Sequence, residues 1–162
     1  MKKTLLLLGL VTSAFIFQTT LLQFMTVFGT TINLILVMFV MIALQTNEIT
    51  GSLIGLGLGC LMDLFYGQFF GINVLLFFTI GFIVGSISKD VYQLNFSADV
   101  LFVILATLYY HGTFLLINYF LRIDTVAISY LIKPLIIEMG LNILIVYPLY
   151  KIKHYLIRQV KI

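Results

Sequence analysis

Apolar residues run almost without interruption along this chain, and the few polar positions cut it into six hydrophobic stretches. The predicted helical spans are Thr4–Met25, Ile32–Thr46, Ile49–Tyr66, Ile72–Ser88, Asp99–Leu121 and Leu131–Tyr150. Residues 4–47 hold no Asp, Glu, Lys or Arg. As one helix they would extend about 66 Å, more than twice a hydrocarbon core of about 30 Å. The stretch therefore folds back on itself, around Phe28, Gly29, Thr30 and Thr31. The expected fold is all-α: a polytopic membrane protein with six transmembrane helices, in one domain ending in a basic tail, residues 151–162.

Small residues mark the third span. Gly51, Gly55, Gly59, Asp63, Gly67 and Gly71 follow one another at intervals of four. Such a step advances a helix by roughly 400°, so the first five form one slowly drifting face. Glycines on that face let another helix come close, which matters in lipid because tails compete equally for apolar contact. Gly81 and Gly85 repeat the spacing on the fourth span. The ladder either packs within the chain or receives a helix from another protein. The expectation for function is a close-packing groove on the third and fourth spans that takes a partner's helix.

Composition agrees with a membrane location: 62% of residues are hydrophobic, 9% are charged, and mean hydropathy is +1.17. The single cysteine, Cys60, excludes an internal disulfide and is too few for a zinc site. The net charge of +3 comes from residues at span ends and in the tail, not from a basic stripe suited to nucleic acid. Met1-Lys2-Lys3 before an apolar run reads as an uncleaved first span. With six spans and a cytoplasmic N-terminus, the inner side carries Lys2, Lys3, Lys89, Lys151, Lys153, Arg158 and Lys161, and the outer side only Arg122 and Lys133. This bias orients both termini toward the cytoplasm. In the tail, Lys151, His154, Arg158 and Lys161 share one helical side and Ile152, Tyr155, Leu156 and Val160 another. The tail thus reads either as a helix lying along anionic lipid or as a simple basic end that fixes topology.

Polar residues inside the spans are the remaining candidates. Asp63 cannot face lipid unaided, and an ion pair with Arg122 or Lys133 is expected at the outer side. Glu138 and Asn142, four apart on the sixth span, share a face. Pro134 falls in that span's first turn, and Pro148 is expected to break or kink it. His111 is expected to bridge two helices, and the hydroxyls of Tyr109 and Tyr110 need partners inside the bundle. Asp63, His111 and Glu138 are expected at different depths. No nucleophile–base constellation, HExxH, phosphate loop or cysteine pair points to catalysis, and no catalytic, metal or cofactor residue is named.

The segment GSLIGLGLGCLMDLFYGQFFGINVLLFFTIGFIVG, Gly51 to Gly85, resembles the signature region of the rod shape-determining protein MreD family. The resemblance lies in the glycine ladder leading to Asp63, the Gly67–Gly71 turn and the apolar span with its glycine pair. Length, the short second span and the basic tail agree. It implies a non-enzymatic scaffold of the bacterial lateral wall-elongation machinery in the cytoplasmic membrane. The implied partners are the single-span protein MreC, actin-like MreB filaments, and a RodA-type glycosyltransferase with its penicillin-binding protein. The family is also similar in architecture to the six-span substrate-binding subunits of energy-coupling-factor transporters. The rival expectation is thus a solute-binding subunit lined by Asp63, His111, Tyr109, Tyr110 and Glu138.

Overall fold

The charge-free N-terminal stretch reverses in a four-residue turn. Val27 and Thr30 exchange both backbone hydrogen bonds, at 2.8 and 3.0 Å. The central residues Phe28 and Gly29 have φ of 51° and 79°. Positive φ at both is what a type I′ turn requires, and glycine makes the second cheap. The fold-back thus lies where the length argument put it. The computed structural model describes residues 9, 13–20, 26–66, 70–88, 95–121 and 128–160. Its helices are α1 (residues 13–20), α2 (Leu34–Ala43), α3 (Glu48–Tyr66), α4 (Ile72–Ile87), α5 (Phe96–Leu121) and α6 (Ile128–Val160).

At the centre stands α2. Every residue in it except Met38 is buried, and α3, α4, α5 and α6 all pack against it. Ten residues rise only about 15 Å, so this helix cannot cross a bilayer alone. Its sequence, LILVMFVMIA, is apolar all round, as a helix enclosed on every side must be. α3, residues 96–117 of α5 and residues 132–155 of α6 are long and apolar enough to span a membrane, whereas α2 and α4 are shorter apolar helices.

α3 and α4 form the tightest contact in the molecule, and glycine is the reason. A Cβ on Gly51 would lie 2.6 Å from the Gly81 carbonyl oxygen, and one on Gly59 would lie 2.6 Å from that of Asn73. At Gly55 it would collide with the Phe77 carbonyl, and at Gly81 with that of Gly51. Gly85 sits against Asn47, 2.8 Å from the Asn47 oxygen to the missing Cβ. Phe39 of α2 covers this seam, its ring reaching both Gly55 and Gly81 and lying 5.3 Å from the Phe77 ring.

Here the expectation of an open groove is corrected. The glycine stripe is filled by α4 itself, because backbone on backbone leaves no width for a third helix. Gly71 serves another purpose. Its φ of +107° makes the turn into α4, with open space where a Cβ would stand. Gly67 lies outside the described residues.

The C-terminal span differs from expectation in two ways. α6 starts at Ile128, so Pro134 lies beyond its first turn, and it runs for 33 residues without a break at Pro148, so the tail extends the spanning helix as far as Val160. Pro148 is exposed, and spanning helices tolerate proline where the freed backbone groups find other partners.

Adding one methyl at the seam tests this account. Gly55→Ala should destabilise the purified protein by about 1–3 kcal/mol through overpacking against backbone that cannot shift. Gly57→Ala, where nothing lies within 4 Å of the new Cβ, should not. Thermal unfolding in detergent compares the two, and equal melting temperatures would contradict the seam.

Candidate functional site

Asp63, the only acid of the ladder, closes the turn between α3 and α4. Its Oδ2 accepts from the backbone N–H of Gly71 at 2.8 Å and of Val74 at 3.1 Å. Its Oδ1 accepts from the Asn73 backbone at 3.1 Å and from Asn73 Nδ2 at 2.9 Å. The N-cap residue of α4 is Gly71, which has no side chain to cap with. The neighbouring helix therefore supplies the carboxylate, and the positive end of the α4 dipole favours it. Four donors at this buried site replace what water would give. The expected ion pair is not part of this arrangement: Lys133 is exposed and Asp63 makes no ion pair among the described residues, while Arg122 lies outside them.

From Asp63 the hydrogen bonds continue to α5. Asn73 Oδ1 accepts from the Tyr110 hydroxyl at 2.8 Å, and Tyr109 meets Thr79 Oγ1 at 3.1 Å. Both tyrosines thus find the partners that their depth demands. Beside Tyr110, His111 Nε2 lies 2.8 Å from Glu138 Oε2 on α6. The expected separation of His111 and Glu138 in depth is overturned. α5 and α6 run antiparallel in register, so four residues up one helix match four residues down the other: Thr107 faces Asn142 as His111 faces Glu138.

Asn142 is fully buried and serves the backbone of α2. Its Oδ1 accepts from the Asn33 N–H at 3.0 Å, and its Nδ2 donates to Thr107 Oγ1 at 3.2 Å. Gln18 Oε1 accepts from Ile35 N–H at 3.1 Å, and Asn33 Oδ1 from Leu36 N–H at 3.2 Å. Three side chains from three parts of the chain thereby satisfy the N-terminus of a helix that begins level with the middle of α5 and α6. Water would do this in a soluble protein; in hydrocarbon only side chains are on hand.

At the other end of α5, Lys153 Nζ lies 2.7 Å from both carboxylate oxygens of Asp99. Asp99 is 1% exposed and Lys153 8%. Phe96 packs on Tyr147 and Tyr150 around them. Sequence reasoning assigned Lys153 to the cytoplasmic basic set and Asp99 to a span boundary, and missed the pair. Asn33 and Asn73 were also missed, although an asparagine just before or just inside an apolar run is a helix-start signal.

These polar groups hold six helices to one another, and none of them forms a nucleophile–base set. Among the described residues no cluster of three or more His, Cys, Asp or Glu could hold a metal ion. A family model described as rod shape-determining protein MreD matches residues 2–156. The chain belongs to the MreD family. It is therefore a membrane protein of cell-shape determination. No curated protein and no solved structure matches it. The internal hydrogen bonding shows how this MreD chain keeps a short helix and two buried charge centres inside an apolar bundle.

Two outcomes follow for the purified MreD chain. Lys153→Ala should cost about 3–5 kcal/mol, because it strands a buried carboxylate, and Asp99→Ala in the same chain should recover much of the loss. Thermal unfolding of the single and double variants measures both. Asp63→Lys should abolish folding, and Lys133→Asp should not restore it; recovery of protein level in the double variant would reinstate the ion pair.

Proposed function

We propose that this MreD chain is a non-enzymatic scaffold of the lateral cell-wall elongation machinery in the bacterial cytoplasmic membrane. It has six spans, the second made of the short α2 together with the residues that flank it, and both termini in the cytoplasm. It assembles with an MreC-like single-span protein and a RodA-type glycosyltransferase with its penicillin-binding protein, linked directly or indirectly to MreB-like filaments. The observation that carries this reading is the family match over nearly the whole chain. The fold is physically compatible with a scaffold. The α3–α4 seam is rigid, the polar side chains are engaged in joining helices, and the outward faces are large and apolar, with Leu53, Leu64, Phe82, Leu101, Leu116, Ile136 and Leu144 all exposed.

The basic end fits contact with anionic lipid in a modified form. Lys153 is committed to Asp99, so the tail's lipid-facing charge comes from residues such as Lys151, whose ammonium sits 4.5 Å above the Tyr147 ring. A cation on an aromatic ring at the end of a span suits the headgroup region.

One observation favours the solute-binding alternative: Asp63, Tyr110, His111 and Glu138 do converge on one level of the bundle. Against it, Asp63, Asn73 and Tyr110 are hydrogen-bonded to one another, and Asp63 also to the backbone of Gly71 and Val74. Depletion in the native host tests the two readings together. The scaffold reading expects rod cells to round up and lateral wall synthesis to lose its localisation. Unchanged shape with impaired solute uptake would overturn it.

A further inference from the structure

With the glycine seam closed, a partner's spanning helix must be held elsewhere. Polar groups with free hydrogen-bonding capacity at lipid depth are the places able to hold it. Glu138 is 8% exposed, and its Oε1 is buried with no hydrogen-bond partner among the described residues. Its Oε2 is engaged by His111 Nε2, and His111, whose side chain is 29% exposed, makes no other hydrogen bond among the described residues. The second ring nitrogen therefore has no partner among the described residues either. Other polar side chains of the bundle are engaged: Asp63 accepts four bonds, and the side chains of Asn73 and Asn142 make two each. A partly exposed imidazole at lipid depth, backed by a carboxylate with one idle oxygen, is an unfavourable arrangement that an incoming polar group can relieve.

We infer that the His111–Glu138 pair is the intramembrane hydrogen-bonding point for a spanning helix of another protein, one that presents a hydroxyl or amide side chain. Depth selects a helix over a lipid headgroup. His111 lies ten residues inside the end of α5 at Leu121, about 15 Å of helix, and Glu138 lies five residues beyond Lys133 on α6, about 7.5 Å. A headgroup does not reach that far, whereas a serine, threonine, asparagine or glutamine on a neighbouring helix does. Such a group accepts from or donates to the imidazole at its open side. Movement of the His111 ring then exposes Glu138 Oε1 to the same donor. Leu108, one turn from His111 on the same face of α5, is 43% exposed and offers apolar contact beside the polar one. This inference rests on the proposed assembly with a single-span partner and moves its contact from the glycine ladder to α5 and α6.

Photocrosslinking in membranes of the native host tests it. A benzoylphenylalanine is placed at Leu108, beside the pair, or at Leu53, an exposed position on α3 that serves as a control. The expected result is an adduct with a single-span membrane protein from Leu108 and none from Leu53. His111→Leu and Glu138→Leu should each reduce the adduct about threefold to tenfold, the range that loss of one interhelical hydrogen bond gives. Glu138→Gln, which keeps an acceptor and adds a donor, should retain most of it. Protein level and insertion of each variant are followed alongside, and the Leu108 adduct in the otherwise unaltered chain gives a reading free of any folding defect. An adduct insensitive to both leucine variants, or one arising from Leu53 instead, overturns the inference and leaves the scaffold reading standing. No adduct from either position, with no single-span protein co-purifying, overturns both.

Discussion

Everything in this fold depends on supplying hydrogen bonds to α2. It is a ten-residue helix enclosed by its neighbours, and its first N–H groups emerge level with the middle of α5 and α6. An unpaired amide there costs several kcal/mol, and no water is on hand to relieve it. Asn142, Gln18 and Asn33 meet that demand, and each comes from a different part of the chain. At the opposite end, Gln45 and Thr46 side chains return to the Met41 and Ala43 carbonyls, and the Ser88 hydroxyl reaches the Thr46 carbonyl. The positions of α1, α4 and α6 around α2 are fixed by these few polar contacts as much as by apolar packing.

Two kinds of helix contact then divide the molecule. α3 and α4 meet through glycine, backbone against backbone, with dispersion as the main attraction, and Asp63 caps the N-terminus of α4 at one end of the seam. α5 and α6 meet through side chains that span a wider gap: Asp99 with Lys153, Thr107 with Asn142, His111 with Glu138. In lipid the first kind depends on shape and tolerates no added atom. The second depends on matched donors and acceptors and tolerates size changes better than loss of a partner. A bundle made of both has one half packed through backbone and one half held by paired side chains.

The polar residues of the spans illustrate how structural duty and functional opportunity separate. Asp63 is the most conspicuous acid in the sequence, yet its four hydrogen bonds leave it nothing to offer a ligand. Asn142 is likewise committed. Glu138 and His111, less conspicuous, retain capacity. Burial alone does not distinguish these cases; only a count of donors against acceptors at each atom does.

Local chemistry written along the chain determined much of this protein. Apolar runs longer than a bilayer forced a reversal at Phe28–Gly29, and the four-residue glycine spacing forced a close-approach face on α3. The tyrosines had to find partners, and the sequence between Gly51 and Gly85 carried the family. Which surface met that glycine face, and which donor met each acid, was not legible, because those choices depend on how the helices dock against one another. Tertiary packing decided both: α4 filled the seam, its own N-terminus took the carboxylate, and antiparallel α5 and α6 brought Asp99 to Lys153 and His111 to Glu138. The physical reason is that an apolar environment fixes how many polar groups must be paired, whereas only the three-dimensional arrangement fixes with whom.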